Sequence, residues 1–104
     1  VRQRDYARKD DTMQFVVHCH DKTDGGARRA PLRDEHADYL KANSDIVVVR
    51  GPLLDDAGDK TIGSLLILDV ADRAAAEAFW ADEPFNAAGV YEWTTIERWR
   101  FGHV

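Results

Sequence analysis

From Met13 to His20 the side chains alternate, with Phe15, Val17 and Cys19 in one register and Gln14, Val16, His18 and His20 in the other. A period of two predicts a strand whose two faces meet different surroundings. Asp21 to Gly26 interrupts it with Asp, Thr and two glycines, the chemistry of a loop. Pro31 suits a first helical turn, and Leu32, His36, Tyr39 and Leu40 follow at helical spacings, so a first helix is predicted from Pro31 to near Asn43.

Ile46 to Val49 is a β-branched run without polar relief, which predicts a strand buried on both faces; Gly51-Pro52 bends or ends its pairing. Asp55 to Asp59 reads as a turn into a second apolar stretch, Ile62 to Val70, giving a hairpin with a loop longer than the tight two-residue kind. Asp72 is placed to cap a second helix, the alanine-rich Arg73 to Trp80, which ends before Pro84. Tyr91, Trp93, Trp99 and Phe101 recur at even spacings, predicting one side of a last strand. The order is βαββαβ, the split-βαβ arrangement of an α+β ferredoxin-like fold: a four-stranded antiparallel sheet with both helices on one face. The other face needs an apolar cover, and a second copy of the chain supplies it most simply, so a homodimer is expected.

Size and charge narrow the partners. With 104 residues the chain has room for one core. Residues 1–12 are strongly polar and read as an N-terminal extension, leaving 13–104 as a single domain. Fourteen basic against 19 acidic residues give a net charge of −5, which argues against nucleic acid as a partner. No apolar run approaches the roughly 20 residues of a membrane span, and no signal-peptide core opens the chain, so no membrane partner and a cytoplasmic location are expected. Cys19 is the single cysteine and has no internal disulfide partner. Arg28, Arg29 and Arg33 cluster, either to steer a small anion or as a solvated helix start.

A set of short motifs runs through the chain: Asp21-Lys22, then Arg33 and His36 leading to Tyr39-Leu40, then Gly51-Pro52-Leu53 and Gly63-Ser64. Phe79-Trp80, Glu83-Pro84-Phe85, Ala88 to Tyr91 and Arg98-Trp99 complete it. In order and spacing these residues resemble the YciI-like (YCII-related domain) family from Met13 to Phe101. The resemblance implies a ferredoxin-like protein of the dimeric α+β barrel type with a histidine/aspartate pair as its catalytic centre. One member of the family removes hydrogen chloride from a chlorinated hydroxyhydroquinone. The family's helix-one histidine falls on His36, and its Asp-Pro motif on Glu83-Pro84, so the acid is glutamate here, with Asp82 just before it. Either carboxylate is a candidate partner for His36.

An imidazole takes or gives a proton near neutral pH, and a neighbouring carboxylate fixes its tautomer, which makes His36 the candidate general base with Glu83 or Asp82 orienting it. Arg33 lies three residues earlier on nearly the same helix face and either holds a phenolate or carboxylate or forms a surface salt bridge. Ser64 follows Gly63, where a missing side chain lets another group approach the backbone, and is a candidate ligand contact. Strand alternation puts His18 and His20 on one face and Cys19 on the other; the histidines are expected to line the His36 cleft, with Cys19 in the core. His-x-His supplies only two ligands, so no metal site is assigned. The chain has no Gly-rich phosphate loop, Ser/His/Asp signature or Cys/His nucleophile pattern, and no cofactor is expected. Trp80, Phe85, Tyr91 and Trp93 read as core or interface rather than as a substrate cage. A small-molecule enzyme performing elimination, dehydrochlorination or isomerisation, a non-catalytic ligand-binding module and a dimeric accessory protein all fit this pattern, each with a small-molecule ligand or itself as partner.

Overall fold

The computed structural model describes residues 12–102, so the proposed polar extension, apart from Thr12, lies outside the described residues. Four strands, β1 (Met13–Asp21), β2 (Val47–Leu54), β3 (Thr61–Val70) and β4 (Tyr91–Trp99), form one sheet in the order β2-β3-β1-β4. Every neighbouring pair is antiparallel. β1 runs against β3 from Met13 opposite Val70 to His20 opposite Gly63. The α+β ferredoxin-like class is therefore as the pattern predicts.

One face of the sheet carries the core. Phe15, Val17, Cys19, Leu66 and Leu68 point from it toward Leu40, Ala76, Phe79, Trp80, Phe85 and Val90 on the helical side. Val17, Leu68 and Val90 are fully enclosed, each worth about 1.5–3 kcal/mol as an upper estimate. The helices are α2 (Arg33–Ala42) and α3 (Arg73–Ala81), with the short α1 (Gly25–Arg29), a 3-10 turn at Ala30–Leu32, and α4 (Pro84–Ala87). Asp72 caps α3 as expected, accepting a hydrogen bond from the Ala75 amide at 2.8 Å. The Tyr39 hydroxyl donates to the Phe79 carbonyl at 2.6 Å and ties α2 to α3.

Three expectations need correction. Helical structure starts at Gly25, inside the stretch read as a loop. Gly25 is there because a Cβ would meet the Asp21 side chain at 2.7 Å, so its glycine serves a close approach rather than a turn. The run Ile46 to Val49 is only half-buried, because β2 is an edge strand, a position that also tolerates Pro52 within it. α3 closes at Ala81, before Pro84 as expected, and Pro84 then opens α4 with Glu83 as its N-cap.

The even spacing along β4 does not keep one side. His20 pairs with Trp93 and Asp21 with Tyr91, so Glu92 is an extra residue between the two pairs, a β-bulge. It turns Tyr91 into the core and leaves Trp93 43% exposed on the opposite face. Phe101 lies beyond the strand.

Candidate functional site

His36 sits one turn into α2, and its Nδ1 lies 2.7 Å from Glu83 Oε1. Glu83 has no solvent exposure. Its other oxygen, Oε2, accepts from the backbone amides of Phe85 at 2.6 Å and Asn86 at 3.2 Å. Those amides are the unpaired donors at the start of α4, so capping locks the carboxylate before it reaches the histidine. The Phe85 ring stacks on the His36 imidazole with centroids 3.9 Å apart and planes at 12°. Helix, cap and ring together restrict the imidazole to one orientation.

A second buried polar group adjoins it. Arg29 makes a two-pronged ion pair with Asp21, Nε to Oδ2 and a terminal nitrogen to Oδ1, both at 2.9 Å. The same terminal nitrogen donates to Ser64 Oγ at 3.2 Å, and Ser64 Oγ lies 3.4 Å from the Tyr91 hydroxyl. The guanidinium also rests 4.8 Å from the Phe85 ring centroid, joining the two groups through one aromatic plate. Burial works against the Arg29 charge, but the Asp21 hydrogen bonds and nearby charges outweigh it and hold its pKa above the usual value. Burial first, then the neighbouring Cys19, pushes the Tyr91 hydroxyl above the ordinary phenol range. Burial likewise pushes the Cys19 thiol up to about 12. A phenol and a thiol so held stay neutral and serve as packing and hydrogen-bonding groups rather than nucleophiles.

Both groups open on a cavity of about 520 Å³, a volume suited to a small organic molecule. His36, Phe85, Leu40 and Leu66 line it, as do the predicted Arg33 and Ser64. Of the two candidate carboxylates, Glu83 meets the histidine; Asp82 is the exposed C-cap of α3. The expectation for His18 and His20 does not hold. They project from the sheet face opposite Cys19, where His18 meets Trp93 edge-on at 5.0 Å and His20 stacks on it at 5.7 Å. His36 comes from the helical side, so strand alternation itself separates them. Among the described residues no group of three or more His, Cys, Asp or Glu is arranged to hold a metal ion.

In the sequence Arg29 stands out only as part of a basic cluster, and Asp21 lies where the first strand gives way to a loop. The spacing of eight residues between them carries no recognised signature; only the fold brings the pair together. Tyr91 is read from sequence as core or interface, and the bulge separates it from Trp93, whose side of the strand it is expected to share.

An antiparallel four-stranded sheet in the order β2-β3-β1-β4, with helices packed on one face, places the chain among small α+β proteins of ferredoxin-like fold. Within that class the chain belongs to the YCII-related domain family, whose sequence model matches residues 13–100. It is 31% identical over 93 residues to protein YciI of Escherichia coli O6:H1, spanning 82% of this chain and 94% of that one. Among solved structures it is similar to 5-chloro-2-hydroxyhydroquinone dehydrochlorinase (TftG) from Burkholderia phenoliruptrix AC1100, in complex with 2,5-dihydroxybenzoquinone. That match has 26% identity and a TM-score of 0.80, and covers 86% of this chain and 96% of that one. SnoaB, a cofactor-independent oxygenase from Streptomyces nogalater, shares the fold alone, at 14% identity and a TM-score of 0.50 over 90% of this chain and 96% of that one. No helix among the described residues is long and apolar enough to cross a membrane.

Proposed function

We propose that the protein is a small-molecule enzyme in which His36 is the general base and Glu83 its orienting partner, acting on a small, ring-shaped substrate by elimination or isomerisation. The observation that carries this reading is the 2.7 Å contact between His36 Nδ1 and a carboxylate with no solvent exposure, at the wall of a cavity. With Glu83 accepting the Nδ1 proton, the lone pair of Nε2 is left to take a proton from substrate. The electron pair released from the substrate moves into a new double bond. A leaving group such as chloride departs with its bonding pair, or in an isomerisation the proton is returned to another atom. Similarity to a dehydrochlorinase supports this class of reaction. Phe85 and the apolar Leu40 and Leu66 suit an aromatic or quinone-like ring. Arg33 and Ser64 are the proposed substrate contacts.

The enzyme is proposed to act as a homodimer joined through the sheet face that the helices leave uncovered, where Trp93 and Trp99 are exposed and Val16 and Leu65 are half-buried.

The decisive experiment measures chloride release and ring absorbance with chlorinated hydroquinones for the wild type and His36→Ala. The expected result is turnover reduced roughly a hundredfold or more with an unchanged circular dichroism spectrum. Wild-type turnover by His36→Ala would overturn the assignment.

A further inference from the structure

The cavity is cationic in a molecule that is not. Arg29, Arg33, Arg50 and Lys60 line it, with Asp59 as the one acidic residue among its lining, while the whole chain carries a net charge of −5. Arg29 is already neutralised by Asp21. Among the described residues, however, no carboxylate pairs with the side chains of Arg33, Arg50 or Lys60. They come from three separate elements, the first turn of α2, the edge strand β2 and the β2–β3 loop. Three exposed cations from separated parts of the chain, facing one cavity with only Asp59 against them in its lining, focus a positive field that draws a negative ligand from solvent.

The apolar side of the same cavity fixes which part of the ligand goes where. The stacked His36 and Phe85 rings line the cavity together with the apolar Leu40 and Leu66, and Arg29 rests against the Phe85 ring. We infer that the cavity binds a small organic anion, its carboxylate or ionised phenol oxygen among Arg33, Arg50 and Lys60 and its unsaturated body against His36 and Phe85. Guanidinium forks suit such an oxygen pair, and the buried Arg29 presents its face to the ring rather than to the anion. The anion holds the substrate; the base then meets a fixed atom. This deepens the proposed function and rests on the same site, but it concerns binding rather than turnover.

Three ring compounds test it by calorimetric titration of the full chain: 2,5-dihydroxybenzoate carries a carboxylate, 4-nitrophenol above neutral pH an ionised phenol, and hydroquinone neither. Saturable binding of one or both anions, at least tenfold tighter than hydroquinone and weakening with added salt, is the expected result. The Arg33→Gln/Arg50→Gln double variant should lose about tenfold or more of that affinity while leaving hydroquinone binding unchanged. Whichever of carboxylate and phenolate binds more tightly names the charged group. Equal binding of hydroquinone and the anions, no saturable binding of either anion, or unchanged anion affinity in the double variant would each overturn the inference. Because His36→Ala keeps all three cations, retained anion binding with wild-type turnover in that variant would sink the proton-transfer reading and leave this one standing.

Discussion

One carboxylate serves two masters: Glu83 Oε2 caps α4 through the Phe85 and Asn86 amides, while Oε1 holds His36 Nδ1 at 2.7 Å. Helix start and site geometry are therefore set by the same side chain, and substitutions at Glu83 separate the two roles. Glu83→Ala strips the cap and leaves His36 without its partner, and is expected to cost about 3 kcal/mol of stability in urea unfolding. Glu83→Gln retains an oxygen for the amides but turns an N–H toward His36, selecting the tautomer with its proton on Nε2. Its unfolding midpoint should stay near the wild type, while turnover falls roughly a hundredfold or more. Nitrogen NMR of the imidazole reads the tautomer directly.

Arg29 and Asp21 form a buried pair in which each oxygen of the carboxylate meets a separate guanidinium nitrogen. Arg29→Met is expected to destabilise by about 3 kcal/mol, since it leaves Asp21 buried without its counter-charge. Arg29→Lys should recover less than half of that, because a single ammonium does not span both oxygens. Asp21→Asn combined with Arg29→Met should restore most of the loss, and a chemical denaturation series on the four proteins checks the order.

The Cys19 thiol, raised to about 12 by burial, sets a pH dependence. In the unfolded chain a thiol loses its proton near its ordinary value of about 8.5. Between these values the unfolded state binds fewer protons than the folded one, so stability is intact below the lower value and falls as pH rises toward the upper. Cys19→Ala is expected to flatten the decline of the urea midpoint between about pH 8 and 10, the window before tyrosine ionisation. In the native wild type, iodoacetamide should leave Cys19 unmodified at pH 8, and should modify it rapidly in urea.

Trp93, 43% exposed and flanked by His18 and His20, marks the face assigned to the proposed dimer. Sedimentation should find the wild type as a dimer at micromolar concentration and Trp93→Glu as a folded monomer, a charge being costly in an apolar interface. A wild-type monomer under those conditions would refute the dimer.

The architecture was legible because period-two and helical patterns are strong where one face of an element is buried, as in Met13 to His20 and Arg73 to Trp80. The Asp72 cap was legible because its chemistry is local, one side chain meeting an amide three residues on. His36 was not legible from its own surroundings; family resemblance pointed to it, and only the turn of chain at Glu83-Pro84 decided between the two carboxylates. The Arg29–Asp21 pair and the separation of His18 and His20 from His36 depend on which sheet face the helices cover. Alternation says that neighbours along a strand part company, but not which face becomes the inside.

The single extra residue at Glu92 has a consequence for how the chain can change over time. Before it, β4 contributes Tyr91 to the polar ring network beneath the cavity; after it, the strand's Trp93 belongs to the outer surface. The bulge works as a phase shifter, giving two aromatic side chains only two positions apart independent histories. The proposed ligand pocket and the proposed self-association face can drift separately on one strand, and a deletion at Glu92 would leave that separation intact, because the two rings would then be consecutive residues that simple alternation places on opposite faces.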